Sequence, residues 1–296
     1  MVDPSVSAVQ VHGAATAAVS AVERGDDPVG IVFNCRHQFG SMSDGWIPIN
    51  VTATGTVDVG WMLAPLLMGA ASVSIPRCDM CHSDRDATAR VEFCQHLLEA
   101  CGYPKDAVRR DCGGLPPAFP VRTELKDPFD AAGIVETLTA LLKSADDDVV
   151  VDHPASPVGI IELGEACVGS LSCITACPTQ ALTLAFEDHS VVVEWTGALC
   201  AACGQCLVVC PEVERGAITL RPRVDAIALS DEAKMMKRHP SVRCRVCGGD
   251  IVASELLDRV GVLLDDAEVF SEDFRTCPRC MESALLEVSR ELFNRR

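Results

Sequence analysis

Cys200, Cys203, Cys206 and Cys210 stand in the order C-x2-C-x2-C-x3-C, and Pro211 follows at once. Four thiolates at that spacing ligate a cubane iron–sulfur cluster, because soft sulfur matches iron and neutralises its charge. An earlier run, Cys167, Ser170, Cys173 and Cys177 with Pro178, repeats the frame with serine in its second place. A serine oxygen is a harder, more basic ligand than a thiolate. Two other patterns carry metal chemistry. Cys244-x2-Cys247 and Cys277-x2-Cys280 are two knuckles with glycine or proline beside them, the pattern of a tetrahedral S4 site. Zinc is the default ion there, and the spacing leaves a single iron open. Cys35, Cys78 and Cys81 form a third, looser set, with His37 and His82 nearby.

The paired Cys-Pro runs resemble two-cluster bacterial ferredoxins. The resemblance implies that three cysteines of each run bind one cluster while the fourth crosses to the other. Carried over, Cys200, Cys203, Cys206 and Cys177 would hold a 4Fe–4S cluster. Cys167, Cys173 and Cys210 would remain for the second, with Ser170 at the vacant corner. That site is open to a 3Fe–4S cluster, to a 4Fe–4S cluster with serine or another ligand, or to none. Electrons would hop between clusters about 10–12 Å apart, so no substrate need touch the iron.

The elements that must position these residues fall into segments. Helices are expected over Ala8–Glu23, Asp58–Met68 and Arg85–Cys101. Short apolar runs at Val29–Phe33, Ile47–Ala53 and Ala71–Ile75 read as buried parallel strands, and Phe119–Leu125 as a last one. Alternating strands and helices indicate an α/β domain with a parallel sheet over 1–126. Cys35, the Ala53–Gly55 turn and Cys78–Cys81 then lie at the carboxyl ends of its strands, where sites form. Cys94 and Cys101 share a helical stripe with Leu97 and Leu98 and read as core. An amphipathic helix and linker occupy 127–156, and an α+β ferredoxin-like domain of the two-cluster type occupies 157–223. A small zinc-ribbon-like module, 224–296, follows, with helices expected over Val224–Arg238, Ser254–Leu264 and Met281–Phe293.

Residues 28–110 resemble the delta (iron–sulfur) subunit of methyl-viologen-reducing hydrogenases, which serves heterodisulfide reductase. The matching stretches are Ile31–Cys35, Val51–Asp58, Cys78–His82 and the helix from Arg90 to Cys101 with Gly102-Tyr103. The resemblance implies a 2Fe–2S cluster at these strand ends. Here the family's second cysteine after the first strand is Gln38, and its cysteine after the second strand is Ala53. Three thiolates, Cys35, Cys78 and Cys81, remain of four, which leaves a cluster and a purely structural domain both open. The resemblance further implies redox partners, flavoprotein or iron–sulfur protein, in a hetero-oligomeric complex.

Bulk properties narrow the rest. The 296 residues carry a net charge of −17, which opposes nucleic acid and anionic membranes as partners. Only 4% are aromatic, the balance of small domains stapled by metal. Seventeen cysteines without a signal-like N-terminus read as metal ligands in a reducing cytoplasm. No run is long and apolar enough for membrane insertion. No catalytic acid, base or nucleophile constellation and no phosphate-binding loop stands out. The expectation is a cytoplasmic iron–sulfur electron-transfer subunit of an oxidoreductase, with a free-standing ferredoxin or a cluster-bearing regulator as alternatives.

Overall fold

The computed structural model describes residues 8–24, 27–37, 44–126, 128–129, 133–145, 148–264 and 275–283. The chain forms two compact units, Met1–Gly159 with Pro222–Leu229, and Ile160–Arg221 with Ser230–Arg296.

In the first unit, β1 (Gly30–Cys35), β2 (Trp46–Val51), β3 (Ser72–Ser74) and β4 (Val108–Arg109) make an all-parallel sheet in the order β2-β1-β3-β4. Ile31, Val32 and Phe33 are fully buried, as expected of a strand covered on both faces. The helices are α1 (Ala8–Glu23), α2 (Val59–Met68), α3 (Asp84–Ala100) and α4 (Gly133–Lys143). Helix α2 is apolar all round and almost wholly enclosed. It starts where the Asp58 carboxylate accepts the Trp61 N–H at 2.8 Å, and it stops at Gly69, whose φ of +122° suits glycine. Ser72 and Ser74 are buried yet satisfied, donating to the carbonyls of Ala107 and Asp111 at 2.9 and 2.6 Å. Cys94 lies in the core with its Sγ 3.8 Å from Met62 Sδ, and burial pushes the Cys101 thiol up to about 11. Short β5 (Val151–Asp152) pairs antiparallel with Arg223 and Val224.

One expected strand is absent. Residues 119–125 form no strand, and Val108–Arg109 takes the edge beside β3 instead. Pro116, Pro117 and Pro120 lack the N–H groups a ladder needs, and Thr123 donates to the Leu67 carbonyl at the end of α2.

The second unit holds β6 (Gly159–Leu163) from Ile160 on, α5 (Ser172–Thr175), β7 (Leu182–Glu187), β8 (Ser190–Thr196), α6 (Gln205–Val209), β9 (Ile218–Val224) as far as Arg221, β10 (Ala233–Arg243), β11 (Asp250–Ala253) and α7 (Ser254–Leu264). Strands β7 and β8 form a tight hairpin across Asp188 and His189, both at positive φ. The sheet continues antiparallel in the order β11-β10-β8-β7.

The helix expected over Val224–Arg238 is therefore wrong. A turn at Asp225–Ala228 precedes β10, which pairs with β8 from Ala233↔Thr196 to Pro240↔Ser190. Lys and Met favour helix intrinsically, but the open edge of β8, with Val191, Val192, Val193 and Trp195 buried, offers a ladder that outweighs propensity. Helix α7 covers the expected 254–264. Beyond Ser283 the expected Met281–Phe293 helix lies outside the described residues. Among the described residues no helix is long and apolar enough to cross a membrane.

Candidate metal centres

The two cysteine runs fold into matching loops. Gly169 and Leu171 flank Ser170 with φ of 68° and 62°, and Ala202 and Gly204 flank Cys203 with 49° and 72°. Left-handed backbone at a leucine and an alanine costs on the order of 1 kcal/mol each, and both loops carry that strain at the same place in the frame. Each loop closes with a short helix, α5 or α6. The loop around Ser170 thus has the same curl as the loop around Cys203.

The runs also exchange ligands. Cys177 leaves its own run and joins Cys200, Cys203 and Cys206 around a small cavity also lined by Ile161, Leu182 and Leu220. Cys210 joins Cys167, Ser170 and Cys173 around a second small cavity, also lined by Leu163, Ala217 and Ile218. Apolar walls of this kind keep water from the sulfurs. Burial pushes Cys206 up to about 11, helped by the charge of Cys200. It does the same to Cys173, with Cys167, Cys206 and Cys210 adding like charge. Burial also raises Cys177, but N–H groups of Leu182, Thr179 and Ala181 and the Thr179 hydroxyl outweigh it, and that thiol falls below its usual value. The indole N–H of Trp195 is buried beside Cys200 without a protein acceptor of normal geometry. Buried donors aimed at thiols, a curled backbone and eight facing positions suit iron–sulfur clusters.

Residues 159–211 match the family of 4Fe-4S dicluster domains. This chain carries a dicluster ferredoxin domain. Iron–sulfur electron transfer is the chemistry it suggests. A search of curated proteins finds no match for the chain.

The dicluster domain has neighbours that sequence reasoning missed. Lys237 on β10 donates to the carbonyls of Gly164, Glu165 and Cys167 at 2.8, 3.1 and 3.1 Å, tying down the backbone that leads into the serine-bearing loop. Two residues on, His239 is fully buried with Nε2 3.7 Å from Cys167 Sγ and Nδ1 3.5 Å from a Glu255 carboxylate oxygen. Burial holds this imidazole below its usual pKa, against the pull of Glu255. A side chain on Gly169 would meet the His239 ring at 3.1 Å, so glycine is needed there for clearance as well as for φ. Glu212, two residues after Cys210, is held well below the usual carboxylate range by Arg259 and Arg215, each at 2.7 Å. The i, i+2 spacing of Lys237 and His239 was the available signal, and it has meaning only on a strand.

Cys244, Cys247, Cys277 and Cys280 come together with their sulfurs all within 4.8 Å, and Cys247 Sγ lies 3.8 Å from Cys277 Sγ. A tetrahedral ion with bonds of about 2.3 Å has an edge of about 3.8 Å, so one ion fits. Backbone N–H groups of Cys247 and Cys277 depress the Cys244 thiol to about 6.

Cys35, Cys78 and Cys81 also meet, and His37 joins them, with all four ligand atoms within 4.8 Å. Cys35 Sγ is 3.1 Å from Cys78 Sγ and accepts the His37 N–H at 3.4 Å. Burial and the hydrogen bond to Cys78 push Cys35 up to about 12, while Cys78 falls below its usual value despite burial. The loop is organised by Asp84 at the start of α3. Its carboxylate accepts from the Cys78 N–H at 3.2 Å, the Thr54 hydroxyl at 3.1 Å and the Arg110 guanidinium. His82 is not part of this group. Cys112, in its loop, lies with its Sγ 3.7 Å from Ser74 Oγ and apart from the three cysteines.

Proposed function

We propose that the chain is an iron–sulfur electron-transfer subunit of a multi-subunit cytoplasmic oxidoreductase, relaying electrons between a flavoprotein or iron–sulfur partner and another redox subunit. The observation that carries this reading is the dicluster domain with its two cysteine-lined cavities. The clusters, when bound, supply one-electron oxidation and reduction. The chain's own residues hold them, exclude water and set the exit. Cys203 is exposed, and of the apolar side chains in the same run Leu199 and Val208 are 47% and 78% exposed. Exposed apolar side chains on the segment that carries a surface ligand favour a protein partner over a small substrate. The resemblance of residues 28–110 to hydrogenase delta subunits supports a partner of the hydrogenase or heterodisulfide-reductase kind.

Three thiolates and a serine in a loop curled like that around Cys203 favour a three-iron cluster in the Ser170 cavity, and the compact Cys244–Cys280 quartet favours zinc. Anaerobic purification with iron, sulfide and zinc analysis and EPR tests the reading. The expected content is about seven irons, with sulfide to match, reducible by dithionite. A chain without acid-labile sulfide would sink it. A stable stoichiometric complex on co-purification is expected, and a chain that exchanges electrons only as a monomer would instead be a free-standing ferredoxin.

A further inference from the structure

The hydrogenase-delta resemblance implies a 2Fe–2S cluster in the first unit, and the donors there do not suit one. We propose that Cys35, His37, Cys78 and Cys81 form a mononuclear Cys3His site for a zinc-class divalent ion.

Size is the first reason. The four ligand atoms lie within 4.8 Å of one another, and the closest sulfur pair is 3.1 Å apart. One tetrahedral ion asks for edges of about 3.8 Å. In a dinuclear cluster the donors divide between two irons bridged by sulfide, so donors on opposite irons must stand farther apart than a single edge. The molecule supplies its own standards. Among the described residues, the Cys244 quartet and the Cys35 group have all their ligand atoms within 4.8 Å, and the quartets of the dicluster domain do not. The N-terminal group belongs with the Cys244 quartet.

Local geometry is the second reason. The N–H groups of Met80 and Cys81 point at Cys78 Sγ, as those of Val246 and Cys247 point at Cys244 Sγ. Met80 and Val246, at matching places in the two knuckles, are 70% and 67% exposed. Both knuckles close back on the carbonyl of their first cysteine, through the Cys81 N–H on Cys78 at 3.1 Å and the Gly248 N–H on Cys244 at 2.8 Å.

The donor set is the third. The end of β2 offers no thiolate: Ala53 stands there, and buried Thr54 spends its hydroxyl on Asp84. Its place is taken by His37, two residues beyond Cys35 at the end of β1, where Arg36 N–H bonds Val51 O at 3.2 Å and fixes the turn. Three thiolates and an imidazole are a common structural zinc set. An ion there would pin the carboxyl end of β1 to the loop after β3. Zinc has no redox step, so this unit would dock or stiffen and would not lengthen the electron path.

The test uses the full chain with Cys277→Ala and Cys280→Ala, which disable the C-terminal quartet. About one zinc per chain is expected to remain, and adding Cys35→Ala removes it while iron and sulfide stay constant. The constant iron also reports that the dicluster domain is folded. His37 is exposed, so His37→Ala carries little folding risk; it is expected to speed zinc loss to a chelator by about tenfold. Iron and sulfide falling together by about two with Cys35→Ala would overturn the proposal in favour of 2Fe–2S. So would a zinc content indifferent to both Cys35→Ala and His37→Ala. Neither outcome bears on the dicluster reading, which rests on different irons.

Discussion

The cysteines of this protein are arranged in two ways. Around the dicluster cavities they stand apart, drawn from two runs that exchange Cys177 and Cys210, with left-handed backbone curling around the space between them. In the two compact groups they crowd within 4.8 Å, each group built on a knuckle whose N–H groups point at its first sulfur. Both arrangements use C-x2-C. What differs is the size of the object that the folded chain leaves room for, which a short spacing cannot report by itself.

Removing one thiol from each kind of site gives the largest contrast. Cys206→Ala is expected to lose a whole cubane, about four irons with their sulfides, and to leave zinc unchanged. Cys247→Ala is expected to lose about one zinc and no sulfide. Metal and sulfide analysis reads both. Sulfide lost with Cys247→Ala would erase the distinction between open and compact sites.

Within the dicluster domain the comparison narrows to one atom. Ser170→Cys restores the full thiolate set in a cradle whose backbone already matches that of Cys203. Iron is expected to rise from about seven to about eight per chain, and the oxidised-state EPR signal of a three-iron cluster to vanish. A count of about eight in the parent, unchanged by the substitution, would mean that the serine oxygen already serves as a ligand.

His239 separates the two cavities more finely, because it touches Cys167 on the serine side alone. Once Cys167 is a thiolate, Nε2 must be the donor. An N–H aimed at a ligand sulfur favours the more negative, reduced cluster and raises its potential. His239→Leu is therefore expected to lower the midpoint potential of the serine-side cluster and leave the other in place. His239→Gln, which keeps a donor, should recover part of the shift. Equal movement of both potentials would mark a structural effect on the whole domain.

How much of this could be read from the chain follows from what each feature depends on. The parallel-sheet unit was legible because its strands are short apolar runs and its helices periodic, both local signals. The cysteine frames were legible because ligand spacing is local too. The β10 strand was not: Ala233–Arg238, ahead of Pro240, is composed of helix-tolerant residues, and only the edge of β8, some forty residues away, makes it part of a strand. Lys237 and His239 were lost with it. Asp84 was hidden for the same reason, since its partners Thr54, Cys78 and Arg110 meet only in the folded sheet. His37 was visible near Cys35, yet only three-dimensional closeness makes it a ligand candidate.

The smallest effect separates a unit with a large apolar core from sites that depend on metal. Asp58 caps α2, the helix around which the first unit's core is packed, and it is half-buried. Burial raises its pKa, against the Trp61 N–H and the charge of Arg90. A carboxyl with a raised folded pKa favours the fold when protonated: that contribution is full below its unfolded value near 4 and is lost as pH rises through the folded one. Asp58→Asn keeps the cap and removes the buried charge, so at pH 7 it should be as stable as the parent or more so. Its margin over the parent should shrink as pH falls toward 4. Asp58→Ala loses the cap and should cost about 1 kcal/mol. Thermal unfolding followed by far-UV circular dichroism measures both, with a shift of about 2–4 °C expected for the alanine. Iron, sulfide and zinc are expected to stay constant in both variants. Loss of cluster iron on Asp58→Ala would show that the apolar core and the dicluster domain stand or fall together, and would break the contrast between core-held and metal-held structure.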